Sequence, residues 1–115
     1  MKSYVGLLCA GLLLQALAAP LSANEMGRQV YQKWCSHCHD KGSDYPGTLA
    51  LEARYKGAVP AALKERDNLA PELVTYIVRN GISVMPFFRK TEISDQELQA
   101  LGAYLNRASH ISKND

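Results

Sequence analysis

Trp34-Cys-Ser-His-Cys-His39-Asp40 brings two thiols and two imidazoles into one short stretch of chain. Its order, Cys35-x-x-Cys38-His39, is the attachment signature of c-type haem: two thiols add to the porphyrin vinyl groups, and the next residue offers an imidazole to the iron. The spacing has a physical reason. Two intervening residues let one turn of chain present both sulfurs along one edge of a macrocycle while His39 turns beneath the ring as proximal ligand. A redox dithiol would need a strand-to-helix context, and none precedes Cys35. A zinc site would need a second pair of ligands downstream, where only the lone His110 stands. Ser36 and His37 then fill the attachment loop, with His37 exposed near the cofactor edge.

An iron held by His39 has a second axial position to fill. Met26 lies shortly before Cys35 on a segment that must enter the attachment turn. Met85 stands in Arg79-Asn-Gly-Ile-Ser-Val-Met-Pro-Phe-Phe88, after a helix-ending Asn-Gly and before a proline that keeps the chain extended. A soft thioether on such a loop suits the sixth position, so His39 and Met85 are the expected axial ligands.

Helical periodicity supplies the scaffold. Gly27, Val30, Tyr31 and Trp34 fall at i, i+3, i+4 and i+7, an apolar face leading straight into Cys35. Leu98, Leu101, Gly102 and Leu105 form a second face, and Ser94 with Glu97 makes a capping-box pattern before it, which predicts a last helix over roughly 95–107. Between them, Pro71 to Gly81 reads as a helix with proline at its start and glycine past its end. Residues 60–66 suggest a short helical piece. No stretch alternates as a strand would, so the expected fold is all-α. A polar tail, 109–115, is expected to be flexible.

Before the first helix, Lys2 precedes an apolar run from Val5 to Leu14 and a small-residue region from Ala16 to Ala23. This reads as a secretory leader over 1–23, cut after Ala23, with Ala18 as the second choice. A membrane span would need roughly 20 apolar residues, and this run is shorter. The domain then covers 24–108. The whole chain has 115 residues, 13 Lys and Arg against 11 Asp and Glu, and a net charge of +2. That excludes two domains, and it gives nucleic-acid binding no basic footprint. Losing Lys2 leaves the exported chain nearly neutral. An exported product this small commonly relies on a disulfide, metal or cofactor for stability.

Gly27-x-x-x-Tyr31-x-x-x-Cys35-x-x-Cys38-His39, Pro46-Gly47, Met85-Pro86 and Leu101-x-x-Tyr104-Leu105 together resemble a class I cytochrome c over nearly the whole exported chain. The resemblance implies a small fold in which N- and C-terminal helices cross around one covalently bound haem, Gly27 and Tyr31 meeting Leu101 and Tyr104. It also implies that the Pro46 carbonyl accepts the proximal imidazole N–H. Within the class, Ile77 to Gly81 leading to Met85-Pro-Phe-Phe88 is similar to the cytochrome subunit of flavocytochromes that oxidise 4-alkylphenols, such as p-cresol methylhydroxylase and eugenol hydroxylase. That implies a flavoprotein dehydrogenase as partner, and Arg54 or Tyr55 as a hydrogen-bond donor to a haem propionate. Lys41, Lys64, Arg66, Arg89 and Lys90 read as solvated surface. The expected function is a periplasmic monohaem carrier of single electrons, not an enzyme by itself. Two alternatives stay open: a diffusing shuttle to a terminal oxidase, and a haem sensor or catalyst with an open sixth position.

Overall fold

The computed structural model describes residues 19–111, with side chains to residue 107. Among them lie five α-helices: α1 (Ala23–Trp34), α2 (Ser36–His39), α3 (Pro46–Tyr55), α4 (Pro71–Asn80) and α5 (Asp95–Ile111). A 3-10 turn spans Leu63–Glu65. The described residues contain no strand, only an isolated bridge between Ile82 and Met85. The fold is all-α, as the periodicity predicts.

Helix α1 starts where Ser22 can cap it: the Ser22 hydroxyl accepts from the Glu25 N–H at 3.3 Å. A leader cut after Ala23 would remove this cap and the first helical residue, whereas a cut after Ala18 would keep both. The leader itself, through residue 18, lies outside the described residues. The face of α1 that is buried holds Gly27, Val30 and Tyr31, and it crosses α5. Glycine is required at the crossing, because a Cβ on Gly27 would lie 2.6 Å from the Tyr104 Cβ and closer still to the Ala100 carbonyl. Next to it the Tyr31 and Tyr104 rings meet at 5.9 Å, tilted by 48°. This is the expected crossing, with Ala100 as a further contact.

Helix α5 opens with the predicted capping box: Glu97 N–H donates to the Ser94 hydroxyl at 3.2 Å, and Ser94 N–H to the Glu97 carboxylate at 2.7 Å. It runs to Ile111, further than the predicted 107, so 109–111 of the expected tail are helical and 112–115 lie outside the described residues. Helix α4 has Pro71 in its first turn and ends at Gly81, whose φ of 71° few other residues adopt. The core gathers Val30, Tyr31 and Cys35 from the N-terminal side with Leu69, Val74, Val78, Ile93, Leu98, Leu101 and Leu105. Each fully buried leucine here contributes about 1.5–3 kcal/mol of transfer free energy. No helix among the described residues is long and apolar enough to cross a membrane.

Helix α3 is the element the periodicity does not announce. It buries only Thr48, leaving Leu49, Glu52, Ala53 and Arg54 in solvent, so it carries no apolar stripe. The readable signal is Pro46 at its start, ahead of a run of good helix formers, Leu49 to Ala53.

Candidate functional site

Cys35 sits at the corner between α1 and α2, with its N–H bonded to the Tyr31 carbonyl at 2.9 Å. From there the chain makes one tight turn: the N–H groups of Cys38 and His39 both donate to the Cys35 carbonyl, at 3.1 and 3.0 Å. The two thiols therefore occupy one turn of helix but different surroundings. Cys35 is buried in the core and Cys38 is exposed; both are free. Burial, helped by the neighbouring Cys38, pushes the Cys35 thiol up to about 12, so it stays protonated at neutral pH.

The His39 ring is half-buried, and burial pushes its pKa down. It is therefore held as the neutral imidazole, the form that binds a metal. Its Nδ1 is fully buried and has no hydrogen-bond partner. No hydrogen bond joins it to the Pro46 carbonyl, and Gly47, the next residue, lies against the imidazole. A Cβ at Gly47 would lie 2.7 Å from the ring Cε1 and 2.9 Å from Nδ1. The glycine thus leaves room for the ring.

Three elements clamp the chain just after this turn. From α1 the buried Tyr31 hydroxyl reaches the His39 carbonyl at 3.1 Å and the Asp40 carboxylate at 3.3 Å. From α3 the buried Thr48 hydroxyl donates to the Asp40 carbonyl at 2.8 Å. From the 3-10 turn Lys64 pairs with Asp40 at 2.7 Å, and next to it Glu65 pairs with Lys41 at 2.7 Å. Lys64 and Lys41 are thus cross-ties between segments, not merely solvated charges.

Met85 lies on a strap between α4 and α5. Ile82 and Met85 exchange backbone hydrogen bonds, Ile82 N–H to Met85 O at 3.1 Å and Met85 N–H to Ile82 O at 3.0 Å. Ser83, between them, has a φ of 53°. Gly81 is needed at the base, where a Cβ would lie 2.8 Å from the Met85 carbonyl. Met85 and Phe88 turn inward onto the core cluster that contains Cys35, and Phe88 meets Trp34 edge-on at 5.7 Å. Ile82, Val84 and Phe87 face solvent, Val84 at 92% exposure. Met26 lies instead beside Leu21 and Ala100, near the start of α1.

The family described as cytochrome c oxidase, cbb3-type, subunit III matches residues 22–105. The chain belongs to that family. No curated protein and no solved structure matches it. It is therefore a c-type cytochrome domain: an electron-transfer protein whose cofactor is haem c and whose partner is another redox protein.

The residues of this cytochrome fit that cofactor. Two free thiols share a turn, the next residue is a neutral imidazole with an orphaned ring nitrogen in a cleft that a glycine keeps open, and a half-buried thioether packs on the same core. Of the expected propionate donors, Arg54 is exposed and Tyr55 is half-buried, with the Arg54 guanidinium 5.8 Å from the Tyr55 ring. The residue the sequence reading places wrongly is Arg66. It is 5% exposed, donates to the Asn68 side chain at 2.9 Å and lies over the Tyr55 ring at 4.7 Å. Hydrogen bonds from Arg66 and then Arg54 pull the Tyr55 pKa down. Two guanidinium groups thus converge on one phenol. An open groove of about 940 Å³ between α4 and α5, lined by Pro71, Tyr76, Arg79 and Leu98 among others, contains none of the expected ligands.

Proposed function

We propose that this cytochrome is a periplasmic monohaem electron carrier in which Cys35 and Cys38 hold the haem as thioethers and His39 and Met85 are its axial ligands. The observation that carries the reading is that Cys35 and Met85 share one apolar core, with the exposed Cys38 thiol and the neutral His39 imidazole on the same turn as Cys35. Haem bound there supplies reversible one-electron chemistry at iron. The chain's own residues do the rest. Gly47 leaves room for the His39 ring, and Tyr31 and Thr48 fix the backbone behind it. Met85, a soft ligand, favours the reduced metal. Filling both axial positions leaves no open site for substrate. Arg66 and Arg54, gathered on Tyr55, supply donors for the propionates.

Electrons leave through the rim formed by His37, Ile82, Val84 and Phe87, all exposed. Three basic side chains beside this rim are paired, Arg89 with Glu92, and Arg79 and Lys90 both with Asp95. Docking therefore rests on apolar burial more than on charge. The partner that best suits the resemblance of the Ile77 to Phe88 segment is the flavoprotein of an alkylphenol-oxidising dehydrogenase. Delivery to a terminal oxidase is the second reading, favoured by the description of the family. Isolating the native complex separates them: a bound flavoprotein supports the first, and reduction of an oxidase by the free cytochrome the second. Carbon monoxide added to the reduced protein tests the axial pair. An unchanged spectrum is expected, and rapid binding would point to an open sixth position and a sensor or catalyst.

A further inference from the structure

We infer that Arg79 is the positioning residue that keeps the strap carrying Met85 in its ligating conformation. The inference deepens the proposed function and rests on Met85 as axial ligand. Apart from the inward packing of Met85 and Phe88, little else holds the strap. Its tip contributes three side chains to solvent and only the two reciprocal bonds between Ile82 and Met85, and it contains two residues of positive φ, Gly81 and Ser83. Its returning limb is fastened to α4 at Phe88, by the Phe88 N–H to the Val78 carbonyl at 2.8 Å.

The Arg79 guanidinium extends that fastening across the whole return. One nitrogen donates to the Phe88 carbonyl at 3.0 Å; the other donates to the Ile93 carbonyl and to the Asp95 carboxylate, each at 2.9 Å. A single side chain, only 19% exposed, thus joins α4, the strap and the start of α5. The planar fork of arginine reaches two carbonyls and a carboxylate together, which a lysine ammonium on its flexible stem does not reproduce. Hydrogen bonds from a charged donor are among the stronger ones in proteins, and their loss would leave both carbonyls without a protein partner. The strap would then open more often, taking Met85 with it.

The test is titration of the oxidised haem protein with imidazole, an added ligand that competes with Met85. Arg79→Gln should raise the apparent imidazole affinity roughly tenfold, equivalent to about 1.4 kcal/mol. The sulfur-to-iron charge-transfer band should bleach at correspondingly lower imidazole. Arg79→Lys, the milder change, should give a rise of several-fold and carries the test if the glutamine variant fails to mature. Asp95→Asn removes the ion pair but leaves both carbonyl bonds. It should lower the melting temperature while leaving imidazole affinity within about twofold of wild type. Wild-type affinity in both Arg79 variants, or an equal rise in Asp95→Asn, would overturn the inference while the Met85 assignment stands. A wild-type protein without the band would overturn that assignment and the inference with it.

Discussion

The two sides of the site are built in opposite ways. On the His39 side a single helical turn is gripped by side chains from three separate elements, Tyr31, Thr48 and Lys64, and flanked by a glycine that seats the ring. On the Met85 side a strap of irregular backbone stands largely in solvent, anchored at its return by Val78 and Arg79. Rigidity is concentrated at the attachment turn, which is anchored in the core through Cys35 although Cys38 is exposed. On the proposed reading, ligand choice and partner docking share the one short segment that stands at the surface.

Breaking the attachment side should have the largest effect. Cys35→Ala is expected to abolish haem attachment and leave most of the chain unfolded, since a domain of this size has little core to spare. Cys38→Ala should weaken attachment to one thioether. Haem staining after denaturing electrophoresis checks both, and haem lost entirely to solvent from the wild-type protein would refute covalent attachment. The distal side should be more forgiving. Met85→Ala is expected to remain folded and haem-bound, at a stability cost near the lower end for a methionine truncation, about 2 kcal/mol. It should lose the charge-transfer band, fall in potential and bind carbon monoxide. If Met26→Ala removes the band instead, the strap is not the ligand carrier.

Much of this asymmetry can be read from residues alone. The cysteine pair and His39 stand out because covalent haem attachment, as proposed, would fix their spacing, and Met85 because a proline and an Asn-Gly frame it. Helices α1, α4 and α5 are legible because each buries an apolar stripe. Helix α3 is not, since its work is done by two small positions, Gly47 beside the imidazole and Thr48 beneath Asp40, neither of which changes a hydrophobic pattern. Arg66 is opaque for a related reason: a buried arginine and an exposed one look alike until Tyr55 and Asn68 are seen around it. Arg79 is likewise invisible, because its partners are mainly backbone carbonyls.

An acid titration sharpens the contrast further. At the base of the strap three carboxylates lie below their ordinary values: Glu92 through the Arg89 N–H, Asp95 through Lys90 and then Arg79, Glu97 through the Ser94 N–H. Lowered pKa values mean that their stabilisation is fully present above the ordinary carboxylate range, about 4, and is lost as pH falls through the folded values. The melting temperature should therefore fall reversibly below about pH 4, while the charge-transfer band keeps its strength in the folded protein, because the Arg79 bonds to the Phe88 and Ile93 carbonyls do not titrate there. Bleaching of the band below pH 4 without loss of stability would show that the strap is held through its carboxylates instead. The smallest expected effect lies at the rim. Phe87→Ala should change stability by no more than about 0.5 kcal/mol yet weaken partner binding, with association rates that vary little with ionic strength. A steep salt dependence would assign docking to charge after all.

The crossing at Gly27 also shapes how the protein is made. Because α1 packs on α5, the first helix waits for the last part of the chain before its apolar face is covered, and closing so long a loop is entropically slow. Cys35 and Cys38 stand at the end of that first helix. They are thus presented early, on an open chain, while the segment that will seal the core is still arriving. A chain that ends before α5 would keep Val30 and Tyr31 bare, and the folding order itself would mark it for proteolysis.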